Sequence, residues 1–162
     1  MTRQGGKGKL LVILLIFWMG MIFFFSAKPA VQSEKMSTSV GKIIGRIVVP
    51  EFEKWSGKKQ DAFAKKIDFA VRKSAHACEY AVLSVLFFVN YKKKSRKIKQ
   101  IVVMSVLSTA LYAVTDEIHQ LFVPGRSGQI TDVILDSCGG LIGAVLSATI
   151  LYLTKKRKKD GS

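Results

Sequence analysis

The residues most capable of chemistry are the two histidines of the chain and the carboxylates beside them. Glu79 follows His76 by three residues, and Asp116 precedes His119 by three residues. Residues at this spacing share one face of a helix, where they could act as general acid and base on a phosphoryl or acyl group. The same spacing occurs in metal sites of helical bundles. Such pairs are also common on any polar helix face, so the pattern alone does not establish an enzyme.

A nucleophile that this acid–base chemistry would need is not evident. Ser74 and Ser127 are close to the two histidines in sequence, but nothing in the surrounding residues marks either one as activated. We therefore predict no cofactor, keep a metal held by the two histidines and their carboxylates as an alternative, and leave the question of catalysis open.

Arg126 offers a second kind of chemistry, the recognition of an anion. Its guanidinium is a planar fork that fits a phosphate or carboxylate, and the neighbouring Gly125 and Gly128 leave backbone amides approachable. Lys73 supplies another cation from a different part of the chain. This combination predicts a site for the anionic group of a phospholipid, a lipid-linked envelope precursor or a lipid-like drug.

The polar residues of both regions form one candidate ligand-binding set. Its members are Lys73, His76, Tyr80, Asp116, Glu117, His119, Gln120, Arg126 and Asp132, and Glu79 lies beside them as a catalytic candidate with His76, Asp116 and His119. A purely structural interpretation is also open, because buried charges persist when they are paired and hydrogen-bonded. Under that interpretation Asp132 would pair with Arg126, and Asp116 with Lys73 or His76.

The elements that carry these residues are four apolar runs, which predict transmembrane helices at about 10–27, 72–91, 98–116 and 131–153. The runs are apolar nearly all round, unlike the striped helices of soluble bundles. We therefore predict an all-α, polytopic membrane protein in which residues 1–162 form a single domain. The first run lacks a clean cleavage site, so we expect it to be retained as a helix.

The long connection between the first two helices contains apolar residues at helical spacings among basic ones, at 42–49 and 61–71. Such segments are typical of amphipathic helices in the membrane interface, where Trp55 would be an anchor. We predict that this connection lies on the extracytoplasmic side.

The charge distribution predicts the topology. The chain has a formal net charge of +15, and its basic residues crowd the N-terminus, the linker 92–99 and the tail 155–159. The positive-inside rule places these three regions in the cytoplasm, which agrees with an even number of crossings. They are topology signals and contacts for anionic lipid rather than a nucleic-acid site.

The candidate residues then share one side of the bilayer. Measured from the inner helix ends at about 1.5 Å per residue, they lie from ~18 to ~31 Å up a hydrocarbon core of ~30 Å, in the outer leaflet or at its surface. On the last helix, Asp132 and Asp136 form a stripe with Gly139, Gly140 and Gly143. The small residues of this stripe predict a close helix contact that brings the acids against the histidines.

At these residues the chain resembles the VanZ-like family of bacterial membrane proteins. The carrying motifs are 73-KSAHACEY-80, 116-DEIHQLFVPGRSGQITDVILDSCGGLIG-143 and the tryptophan-to-serine pattern of 18-WMGMIFFFS-26. The founding member of that family is linked to teicoplanin resistance. The resemblance implies a part in glycopeptide tolerance or cell-envelope biology, in the bacterial cell membrane, and it supplies no reaction.

The expected function is therefore binding of a polar or anionic group of an envelope molecule at the outer leaflet. The expected partners are membrane lipids or lipid-linked precursors, and a lipoglycopeptide is a further candidate. Two alternatives stay open: a membrane-embedded enzyme for phosphoryl or acyl transfer, and a structural or partner-binding protein.

The topology is tested by cysteine labelling in a background with Cys78 and Cys138 replaced by serine. Ser127→Cys should react with a membrane-impermeant maleimide on intact cells, whereas Ser95→Cys should react only after the cells are opened. The reverse pattern would invert the positive-inside assignment and remove the candidate residues from the outer leaflet.

Overall fold

The computed structural model describes residues 3–93 and 97–160, and every regular element in these ranges is helical. The helices are α1 (Arg3–Ser26), α2 (Ala30–Val48), α3 (Gly57–Lys92), α4 (Ile98–Gln120) and α5 (Ile130–Asp160), and a 3-10 turn at Phe52–Lys54 separates α2 from α3. The all-α class is thus confirmed with five helices rather than four. Residues 94–96 of the basic linker lie outside the described residues.

Three of these helices are long and apolar enough to cross a membrane: Gly8–Ser26, Ile98–Gln120 and Ile130–Asp160. They give the chain the character of an integral membrane protein. The predicted second span belongs to α3, which is not among the three because polar side chains interrupt it. Four transmembrane helices are therefore confirmed only in part.

The helix α3 is one unbroken element, whereas the sequence suggested an interfacial segment at 61–71 and a separate span at 72–91. No glycine or proline occurs from residue 58 to residue 92, so nothing in the chain ends the helix between the two segments. With 36 residues, α3 is about 54 Å long, well beyond the ~30 Å hydrocarbon core. Its first half therefore extends past the part that packs in the bundle.

The first half of α3 pairs with α2. Gly41 of α2 faces Ala64 so closely that a Cβ on the glycine would lie 3.2 Å from the Cα of Ala64. Farther along the pair, the Ser37 hydroxyl donates a hydrogen bond to the Asp68 carboxylate in a buried contact. The two amphipathic segments thus cover each other, a pairing that the sequence did not predict.

The second half of α3 packs against α5 through the predicted glycine stripe. A Cβ on Gly139 would lie 2.3 Å from the carbonyl oxygen of Ala77, and one on Gly143 would lie 2.2 Å from that of Ala81. Backbones this close leave no room for any side chain. The small-residue contact is confirmed, and it brings the N-terminal half of α5 against the part of α3 that carries His76.

The helix α1 is fixed by polar contacts as well as by packing. The indole nitrogen of Trp18 donates to the carbonyl oxygen of Glu79 at 2.9 Å, and the Tyr112 hydroxyl donates to the carbonyl oxygen of Met19 at 2.6 Å. Ile22 completes the contact, since it is fully buried in the core between α1, α3 and α4. The three contacts hold the end of α1 beside the candidate site.

The glycine contact predicts a loss of stability on substitution. Gly143→Ala should lower the free energy of unfolding by about 1–3 kcal/mol or more, because its methyl group meets backbone that cannot rotate away. The measurement is the melting temperature of the purified protein in detergent. Gly20→Ala is the matched control, since a Cβ there meets nothing within 4 Å. Equal melting temperatures for the two variants would contradict the close approach.

Candidate functional site

The carboxylate of Asp116, which is 2% exposed, connects two helices of the site. One of its oxygens accepts a hydrogen bond from the Ser26 hydroxyl at 2.6 Å and another from the Gln120 amide at 3.3 Å. The end of α1 is thereby tied to the end of α4. The predicted pairing of Asp116 with Lys73 or His76 is wrong, because Ser26 supplies the nearer donor.

Lys73 forms an ion pair with Asp132 instead. The two side chains are 23% and 21% exposed, and the pair joins α3 to the first turn of α5. The sequence had assigned Arg126 as the partner of Asp132, and that assignment is wrong. Because Lys73 already has a carboxylate, the predicted role of Lys73 as a free cation for a ligand is not supported by this geometry.

Glu117 supports the start of α5. Its carboxylate accepts the backbone N–H of Gln129 at 2.8 Å, immediately before the first residue of that helix, and the Gln120 amide at 3.3 Å. An acceptor in this position satisfies one of the unpaired N–H groups at a helix N-terminus. Glu117 and Gln120, two predicted ligand contacts, are therefore engaged in holding the fold.

The turn between α4 and α5 also positions the start of α2. Gly125 adopts a φ of 74°, in the left-handed region that favours glycine. Next to it, the carbonyl oxygen of Pro124 accepts a hydrogen bond from the N–H of Ala30 at 3.2 Å. This turn places Arg126 against the link between α1 and α2.

Arg126 is half-buried and donates from Nε to the carbonyl oxygen of Lys28 at 3.3 Å. Within the described ranges its guanidinium forms no ion pair. Burial lowers the pKa of Arg126, and the positive charge of Arg72 lowers it further. The carboxylates of Asp116, Glu117 and Asp132 oppose this lowering without reversing it, so an anion bound beside Arg126 would further favour its charged form.

The histidines are divided between two surroundings. His76 Nδ1 lies 3.8 Å from the Glu79 carboxylate, whereas His119 stacks on Phe23 with ring centroids 4.1 Å apart. The buried Nε2 of His119 has no hydrogen-bond partner among the described residues. Across the residues that the structure describes, no group of three or more His, Cys, Asp or Glu side chains could hold a metal ion.

The predicted residues nevertheless form one electrostatic cluster. His76 lies within electrostatic range of Lys73, Asp116, Arg126 and Asp132. The juxtaposition of α3, the end of α4 and the start of α5 that the sequence suggested is therefore present. The hydrogen bonds and ion pairs within this cluster differ from those that the sequence suggested.

A second polar group lies deeper, where α3, α4 and α5 meet. Tyr80 is fully buried, and Asp136 is 1% exposed with no hydrogen-bond partner for its carboxylate within the described ranges. Both lie within electrostatic range of Asp116. Unpaired buried polar groups cost about 1–3 kcal/mol each. The sequence had placed Asp136 on the glycine stripe without including it in the site.

A cavity of about 710 Å³ adjoins the cluster between α2 and α3. Of the predicted residues, three line it: His76, Glu79 and Arg126. Sequence reasoning missed the other two cations on its wall, Lys28 and Arg72. A signal for Arg72 was available, because Arg72, His76 and Glu79 share one face of α3 at i, i+4 and i+7 once the helix is continued through residue 72.

Loss of charge at the two buried carboxylates should have different effects on the melting temperature. Asp116→Asn should lower the melting temperature, because a neutral amide oxygen accepts the hydrogen bonds of Ser26 and Gln120 more weakly than the carboxylate does, at a cost of about 1 kcal/mol. Asp136→Asn should leave it unchanged or raise it, because that carboxylate has no hydrogen-bond partner to lose among the described residues. The two variants serve as controls for each other in thermal unfolding. A larger loss at Asp136 than at Asp116 would contradict the assignment of partners.

Comparison with known proteins bears on the whole helical region. No curated protein and no solved structure matches the chain. The model of the family described as VanZ/LLP1 matches residues 11–152, from the first turns of α1 almost to the end of α5. The match includes the Trp18–Glu79 contact, the Asp116 connection and the Arg126 turn. The chain therefore belongs to the VanZ/LLP1 family.

Proposed function

We propose that this protein spans the bacterial cell membrane four times and binds an anionic group of an envelope lipid or lipid-linked molecule at the outer leaflet. The fourth span is the second half of α3, residues 72–91. It packs among the three apolar helices through the glycine stripe and the Trp18 contact. A polar helix in that position is shielded from lipid by its neighbours, so its charged residues need not face hydrocarbon.

The proposed orientation has both termini and the basic linker in the cytoplasm. It follows from the clusters of lysine and arginine at those three places. The α2–α3 pair, the Arg126 turn and the mouth of the cavity then lie on the extracytoplasmic side. That is the side where envelope lipids and lipid-linked precursors present their headgroups.

The observation that carries the binding proposal is the state of Arg126. It is half-buried, it lines a cavity, and within the described ranges it has no carboxylate partner. A guanidinium in this state gains most from a bidentate phosphate or carboxylate. The remaining acids of the cluster support this arrangement: Asp116, Glu117 and Asp132 are occupied by Ser26, Gln129 and Lys73, respectively.

The physiological role follows from the family resemblance rather than from the geometry. Teicoplanin carries an acyl chain, which suits a site that opens to the outer leaflet. Binding of a lipid-linked precursor or of the drug itself at this site would change how much of the drug binds the precursor. We propose on this basis that the protein contributes to teicoplanin tolerance.

The binding proposal is tested with Arg126→Lys, which keeps the charge and removes the bidentate fork. Affinity for phosphatidylglycerol, measured by native mass spectrometry of protein released from lipid nanodiscs, should fall about tenfold for the loss of one charge-assisted hydrogen bond. Retention of phosphatidylcholine should not change. Teicoplanin tolerance of cells expressing the variant should fall with it.

Arg46→Lys is the matched control, because Arg46 is an exposed residue of α2 that does not line the cavity. Equal phosphatidylglycerol binding by the Arg126 and Arg46 variants would rule out recognition by the guanidinium fork. A lipid of altered mass formed by the wild-type protein would instead reveal an enzyme.

A further inference from the structure

The cavity between α2 and α3 has a long apolar wall. On the α2 side it is lined by Met36, Val40 and Ile44, and on the α3 side by Ile67 and Val71. Its volume of about 710 Å³ falls within the range of about 300–1,000 Å³ that is typical of sites for small organic ligands. A wall of this composition favours a hydrocarbon chain over a polar ligand.

One end of the cavity is cationic. Lys28, Arg72 and Arg126 line it there, and Glu79 is the one carboxylate among the described residues on its wall. Arg72 is partly neutralised, because its guanidinium lies 2.8 Å from the carboxylate of Asp68. The excess positive charge comes mainly from the other two cations.

Lys28 lies on the wall at this end and contacts two aromatic rings and a methionine. Its ammonium lies 5.1 Å and 5.0 Å from the ring centroids of Phe24 and Phe25, and 3.4 Å from the sulfur of Met36. No carboxylate of the described ranges pairs with Lys28. Its backbone oxygen accepts the hydrogen bond from Arg126, so the two cations occupy neighbouring positions.

The cavity is open to the surroundings along α3. Ala70, Ser74, Ala75 and Cys78 line it and are exposed. A ligand can therefore enter from the side, between α2 and the bundle, and a hydrocarbon chain need not pass through water to do so. This opening lies on the same stretch of α3 that carries the polar residues of the site.

We propose that this cavity holds an acyl chain of an anionic phospholipid whose phosphate contacts Lys28 and Arg126. The inference rests on the proposed function, which supplies the anion at Arg126, and extends it from the anionic group of the lipid to its acyl chain. Charge complementarity selects an anionic over a zwitterionic headgroup. The apolar wall selects a lipid over a soluble phosphate, which would leave most of the cavity without contacts.

The test fills the cavity without changing its charges. Ala75→Trp places a large ring in the opening from an exposed position of α3, and Ala70→Trp does the same one to two turns earlier. Ala62→Trp is the matched control, an exposed alanine of the same helix outside the cavity. Each variant is first checked for an unchanged elution volume and melting temperature. One cavity variant that passes this check is enough for the test.

The probes are long-chain phosphatidylglycerol and its soluble dihexanoyl form, measured by native mass spectrometry on the full chain. We expect the cavity variants to bind the long-chain lipid at least about tenfold more weakly than the control, with dihexanoyl binding little changed. Long-chain binding that is equal in cavity and control variants would overturn the inference.

The failure of this inference is distinguishable from failure of the proposed function. If Arg126→Lys weakens both probes while the cavity variants weaken neither, the anion site stands and the acyl site is wrong. If Arg126→Lys weakens neither probe, the anion site is wrong and the acyl inference falls with it. Equal retention of long-chain phosphatidylcholine would show that the cavity does not select for charge, and would also overturn the inference.

Discussion

The structure depends on the approach of α3 to α5, where the carbonyl groups of Ala77 and Ala81 occupy the space that side chains at Gly139 and Gly143 would fill. The contact brings the polar part of α3 beside the first turns of α5, within reach of the Lys73–Asp132 ion pair. Without that approach the charges of α3 would face lipid, where an isolated charge is costly. The close packing of the two backbones therefore lowers the energetic cost of placing the Lys73–Asp132 ion pair at this position.

The polar residues divide into two groups with different tasks. Asp116, Glu117 and Asp132 each have a partner from another part of the fold, and such satisfied contacts fix the helix ends relative to one another. Arg126 and Lys28 have no carboxylate partner within the described ranges, and both lie on the cavity wall. A site with this division combines a rigid frame with cations left to meet a ligand.

The sequence predicted the helical class and the glycine contact, because each depends on local composition or spacing. It did not predict the partners within the cluster, because an ion pair between α3 and α5 depends on the rotation of both helices about their axes. It missed Lys28, which lies in the link after α1. The α2–α3 pairing was likewise missed, since Gly41 shows only that a backbone can approach, not which one does.

The unbroken helix α3 has a consequence for the energetics of binding. It contacts the bundle at one end and α2 at the other. One wall of the cavity is therefore α3 itself, and the other wall, α2, is fixed to α3. The buried Ser37–Asp68 contact and the Gly41–Ala64 approach fix α2 on that element before any ligand arrives. The loss of conformational entropy needed to shape the cavity thus accompanies folding, and a ligand that enters it has only its own freedom to lose.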